Sequence, residues 1–99
     1  MKLRSDQLER IATVCRRYGV RRLQMFGSAA VDLDRPGSDI DLLVEFDPPS
    51  TPSGFDLVDM QDELARIFGG RKVDLAFPSI LNNPHRREAI EPQLKLLYQ

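Results

Sequence analysis

The run Asp39-Ile40-Asp41-Leu42-Leu43-Val44-Glu45-Phe46 admits few backbones. Ile40, Leu42, Val44 and Phe46 form an unbroken apolar row with a two-residue period, the period of a strand that lays one face on a core. Asp39 and Asp41 then leave the opposite face, about 6.6 Å apart along the strand. A slip of one residue would bury the acids and expose the row, so the strand is pinned with its carboxylates outward. Two hard oxygen donors on one face suit a divalent cation.

Val20 to Phe26 alternates as well, with Leu23 and Met25 on one side and Arg22 and Gln24 on the other, which predicts a half-buried first strand ending at Gly27. Gly27 lets the backbone bend sharply and come close to a ligand, and Ser28 offers both N–H and hydroxyl to a phosphate oxygen. Ser28-Ala29-Ala30-Val31 favours a short helical turn whose N–H groups point back at that seat. On its own, Gly-Ser is an ordinary strand-to-helix turn; the acid pair downstream changes its meaning. Arg35-Pro36-Gly37 makes the turn between the two segments.

The remaining elements follow from periodicity and punctuation. Leu8, Ile11, Ala12, Cys15 and Tyr18 predict an amphipathic helix, capped by Ser5 or by an Asp6–Glu9 box and ended by Gly19. Asp47 to Gly54 carries three prolines and no periodic apolar residue, which predicts a mobile surface loop. Phe55 to Phe68 resumes helical spacing until Gly69-Gly70. Lys72 to Phe77 reads as a strand with Val73, Leu75 and Phe77 on one face and Asp74 on the other, explicable as an acid salt-bridged to Arg71 or Lys72 or exposed on an edge strand. Asn83-Pro84 starts a helix that runs through Arg87 to Ile90, with His85 on its surface. Leu94 to Tyr98 forms a last short strand or an apolar tail on the sheet. The order implies an α/β fold, a small mixed β-sheet backed by helices.

Ninety-nine residues suffice for one domain, 1–99, and a substrate that needs a second binding lobe must find it elsewhere, with a partner chain as the expectation. No apolar run approaches membrane-spanning length and the first residues do not form a signal peptide, so a cytoplasmic location is expected. A net charge of −1 argues against a general nucleic-acid binder. Arg16, Arg17, Arg21 and Arg22 nonetheless cluster about the start of the first strand, and Asp32, Asp34, Asp39, Asp41, Glu45 and Asp47 after it. Single Cys15 lies on the apolar stripe of the first helix, which makes it a buried, inert thiol.

Gly27-Ser28, ten residues, then Asp39-x-Asp41 resembles the signature of the DNA polymerase β-like nucleotidyltransferase superfamily. A chance match of the four fixed positions has odds on the order of one in a thousand, and Phe26, Ser38, Ile40 and Leu42-Leu43-Val44 agree as well. The short chain is most similar to the minimal nucleotidyltransferase branch, antitoxin-type proteins paired with HEPN-domain toxins. The resemblance implies a polymerase β palm-like fold, two Mg2+ ions held by Asp39, Asp41 and Asp74, and ATP as substrate. It implies further that Gly27, Ser28 and Ser38 contact the nucleotide and that AMP passes to a hydroxyl, in some relatives a tyrosine of the HEPN ribonuclease toxin. The family often carries Arg-Gly where this chain has Val31-Asp32, which implies a missing phosphate-side cation and an added acid. That departure favours the alternative of a non-catalytic antitoxin acting by direct binding.

Overall fold

The computed structural model describes residues 1–99. β1 (Val20–Phe26) and β2 (Ile40–Phe46) lie antiparallel, with Met25 opposite Leu42 and Phe26 opposite Asp41. β3 (Val73–Ala76) runs parallel to β2. A parallel pair needs a crossover, and the helix α2 (Gly54–Ile67) supplies it. β4 (Lys95–Tyr98) pairs antiparallel with β1, so the mixed sheet has the order β3-β2-β1-β4 with β3 and β4 at its edges.

The two alternating rows do what their period requires. Leu23 and Met25 of β1 and Ile40, Leu42 and Val44 of β2 are buried against Ile11, Val14 and Cys15 of the helix α1 (Ser5–Tyr18) and Met60, Leu64 and Ile67 of α2. One sheet face is thereby sealed, and Asp41, Leu43 and Glu45 point to the other. α3 (Pro84–Ile90) and the 3-10 turns on either side of it, Pro78–Asn82 and Glu91–Gln93, complete the chain before β4.

Several local expectations are corrected. α1 starts at Ser5, so Gln7 rather than Glu9 occupies the third helical position, and its Oε1 accepts the Arg4 N–H at 2.9 Å. Its buried stripe includes Val14 and leaves Leu8 37% exposed. α2 starts at Gly54 because Ser53 and Asp56 cap it reciprocally, at 3.1 and 3.0 Å. β3 ends at Ala76, and Phe77, extended before Pro78, is 41% exposed instead of lying on the core face. Asn83 caps α3 as expected, accepting from the His85 and Arg86 N–H groups, and His85 is exposed.

The arginine cluster is largely neutralised within the chain. Arg17 bonds Glu63, Arg21 reaches Asp47 at 3.2 Å, and Arg22 reaches Glu45 at 2.8 Å; Arg16 makes no ion pair. Tyr18 also donates to Glu63 at 2.6 Å, tying α1 to α2. Burial pushes the Cys15 thiol up to about 12. Cys15 is therefore expected to resist alkylation at neutral pH in the folded chain and to react at once in denaturant, as timed thiol titration would read. No helix is long and apolar enough to cross a membrane.

Candidate active site

The site assembles where β1 ends and β2 and β3 begin. Gly27 leaves β1 at φ 78°, ψ −165°, a region essentially reserved for glycine. A Cβ at that position would run into Asp41 Oδ2, so the glycine also makes room for the acid. Ser28–Val31 then forms the expected short helical turn, a 3-10 helix that leaves Ser28 exposed.

Asp41 stands directly opposite Asp74 in the parallel β2–β3 register. Asp39 lies one residue before β2, because the ladder begins at Ile40, whose N–H donates to the Lys72 carbonyl at 2.8 Å. The three carboxylates nevertheless share one field. Burial, then the charges of Asp74 and Asp39, raise the Asp41 carboxyl above its ordinary range. Asp39 and Asp41 have no ion-pair partner, and Asp74 has only Lys72 at 3.7 Å between two exposed groups, a weak neutraliser. Hard, uncompensated carboxylate oxygens are the donor set that Mg2+ takes. No three acidic, histidine or cysteine side chains are drawn around one point tightly enough to cage a metal as they stand.

The other expected residues are placed as follows. Ser38 does not present a free hydroxyl: its Oγ donates to the Arg35 carbonyl at 2.8 Å and accepts from Arg71 at 2.9 Å. Asp32 adopts φ 60°, a left-handed conformation that aspartate tolerates better than most residues. Its carboxylate is bonded by the terminal ammonium of Met1, which lowers its pKa, and is 78% exposed. Val31 is 37% exposed and uncharged.

Comparison with known proteins gives the same picture. The sequence profile of the nucleotidyltransferase domain matches residues 8–97. The chain belongs to the nucleotidyltransferase domain family. Three proteins of Methanocaldococcus jannaschii, provisionally named protein adenylyltransferases, are 36%, 36% and 32% identical over 78 residues, covering 79% of this chain and 77%, 76% and 76% of theirs. A solved structure provisionally named a minimal nucleotidyltransferase superposes with a TM-score of 0.66 at 30% identity, covering 85% of this chain and 83% of that one. A chain from a toxin–antitoxin crystal structure with AMP-PNP has the same fold, with a TM-score of 0.66 at 21% identity over 92% of this chain and 72% of its own.

Two residues of this nucleotidyltransferase escape sequence reading. Gln93 Oε1 accepts the Gly27 N–H at 3.0 Å and fixes the turn after β1. Arg71, only 16% exposed on its side chain, donates to the Ser38 carbonyl at 2.8 Å, to Ser38 Oγ and to Asp34 Oδ2 at 2.9 Å. It grips the loop that delivers Asp39, holding one acid beside two that repel it. Neither residue has a periodic or motif signal, since both contacts come from distant chain. Arg71→Ala leaves the mostly buried Asp34 unpaired, and a loss of about 1–3 kcal/mol in stability together with weaker magnesium-dependent nucleotide binding is expected. Arg71→Lys is expected to recover only part of either, because an ammonium cannot make the three-pronged contact. Thermal unfolding and calorimetry read the two effects separately.

Proposed function

We propose that this enzyme transfers AMP from ATP to a tyrosine hydroxyl of a HEPN-type toxin, which makes it an antitoxin that works by modification. The observation that carries the reading is Asp41 opposite Asp74, with Asp39 in their field, beside a glycine turn shaped for close approach. Asp39, Asp41 and Asp74 would hold Mg2+ ions, which when bound supply positive charge to the entering and departing oxygens of an in-line displacement. The Gly27-Ser28 turn seats the terminal phosphates, with the exposed Ser28 hydroxyl and N–H as donors. The phenolic oxygen bonds to the α-phosphorus while the bond to the bridging oxygen breaks. Pyrophosphate departs with the electron pair, and the phenolic proton passes to the Asp74 carboxylate.

Support for a protein acceptor comes from the relatives named as protein adenylyltransferases, from the same fold in a toxin–antitoxin complex with AMP-PNP, and from a net charge that attracts no polynucleotide. The uncharged Val31 favours a second reading, neutralisation by direct binding. Intact-mass spectrometry separates them. A HEPN-type protein encoded beside this chain is expected to gain AMP-sized increments on co-expression with wild type and none with Asp39→Asn/Asp41→Asn. An unmodified toxin neutralised equally by both versions would mean occlusion.

A further inference from the structure

On the open sheet face, one strand step beyond the acids, lies a cleft of about 230 Å3 between the sheet and the segment that follows β3. Leu43 lines it, buried although it stands outside the main core cluster, with Gln24 opposite in the β1–β2 register. Leu81 and Leu94 add apolar wall, while Arg22, Glu45 and Glu91 bring charge to its edge. Arg22 is already paired to Glu45 at 2.8 Å.

The volume lies below the roughly 300–1,000 Å3 of pockets that enclose drug-sized ligands, so the cleft accepts one ring or side chain and not a whole nucleotide. Two carboxylates against one paired guanidinium offer nothing to a polyphosphate. Leu43 follows Asp41 by two residues on the same face, about 6.6 Å along the strand; a tyrosine ring laid over Leu43 covers part of that span with its hydroxyl leading, and the remainder leaves room for a cation on the acids.

We propose that this cleft receives the ring of the acceptor tyrosine, with its hydroxyl directed along β2 toward Asp41 and Asp74. The inference rests on the reading of the chain as a tyrosine-modifying AMP transferase, and it adds a specificity pocket built from Leu43, Leu81 and Leu94. A flat aromatic ring fits a slot of this size, with the three leucines as its apolar wall and polar groups at its edge, and its polar tip lies where the acids are.

Leucine-methyl NMR of the full chain with Mg2+ and a non-hydrolysable ATP analogue is the test, with N-acetyl-tyrosinamide and adenosine as separate probes. The tyrosinamide is expected to shift the Leu43, Leu81 and Leu94 methyls and adenosine to leave them in place. Leu81→Trp and Leu94→Trp, which fill the slot, are expected to abolish the Leu43 shift and to lower kcat/KM for the protein acceptor at least about tenfold, with ATP affinity unchanged. Shifts from adenosine alone would make the cleft a nucleobase pocket and overturn the proposal. So would tryptophan variants that transfer AMP at the wild-type rate. Loss of magnesium-dependent ATP binding in the wild type would overturn the transferase reading itself, and this inference with it.

Discussion

Asp41→Asn is expected to abolish nearly all magnesium-supported nucleotide binding and transfer while making the metal-free protein more stable. The first half follows from charge: a carboxamide offsets no dication, and with several kcal/mol of transition-state stabilisation tied to each ion, a fall of about a thousandfold or more in transfer rate is expected. The second half follows from the raised Asp41 pKa, caused by burial and by the Asp74 and Asp39 charges. The folded chain holds this proton more tightly than an unfolded one does, so ionisation of Asp41 works against folding. That penalty is absent well below the ordinary carboxylate range of about 4, develops as pH rises through it, and is complete above the raised folded value. Asp41→Asn should therefore raise the melting temperature at neutral pH, with the gain shrinking toward zero as the pH falls below that range. Scanning calorimetry at several pH values, without and with Mg2+ and ATP, reads both halves. A variant no more stable than wild type at neutral pH would mean that the three acids do not strain one another.

What the sequence made legible, and what it did not, divides by the range of the interactions. The apolar row of β2 and the glycine ending β1 are local signals, and they place Gly27, Asp41 and the sheet face correctly. Asp74 opposite Asp41 was reached through a resemblance, since nothing local to Val73-Asp74-Leu75 tells which strand it will join. Arg71 read as one option for neutralising Asp74. In the fold it turns instead to Asp34 and Ser38, across 37 and 33 residues, because the crossover returns β3 beside the start of β2. Gln93 meets Gly27 across 66 residues and has no local signature at all. Ser38, expected at the nucleotide, carries the cost of that architecture: its hydroxyl is engaged by Arg35 and Arg71 in shaping the loop before Asp39. The error over Phe77 has a different cause, a strand shortened by the proline that follows it.

Gly27→Ala and Gly19→Ala form a matched pair that should come apart in activity. Both glycines have positive φ, 78° and 72°, and at both a Cβ would collide with a side-chain oxygen. Gly19 caps α1 in the left-handed region, which costs a non-glycine residue about 1–2 kcal/mol. The atoms in the way there are Ser50 Oγ and, at 2.8 Å, Ser50 Cβ, so the half-buried loop residue must shift with its backbone. Gly27 instead sits at ψ −165°, essentially closed to other residues, and strain of about 1–3 kcal/mol is expected before any collision. The collision is with Asp41 Oδ2 alone, and with the strand pinned by the buried Ile40 and Leu42 the carboxylate yields by turning its own side chain, which takes its oxygens out of place. For a domain of this size each kcal/mol lowers the melting temperature by about 4–8 °C, so both variants should melt lower. Only Gly27→Ala should also lose magnesium-dependent ATP binding under conditions where both variants remain folded by circular dichroism, because only there does the added methyl displace a metal-binding carboxylate and block the backbone's approach to phosphate. Equal retention of ATP binding by the two variants would show that the Gly27 turn serves the fold and not the nucleotide.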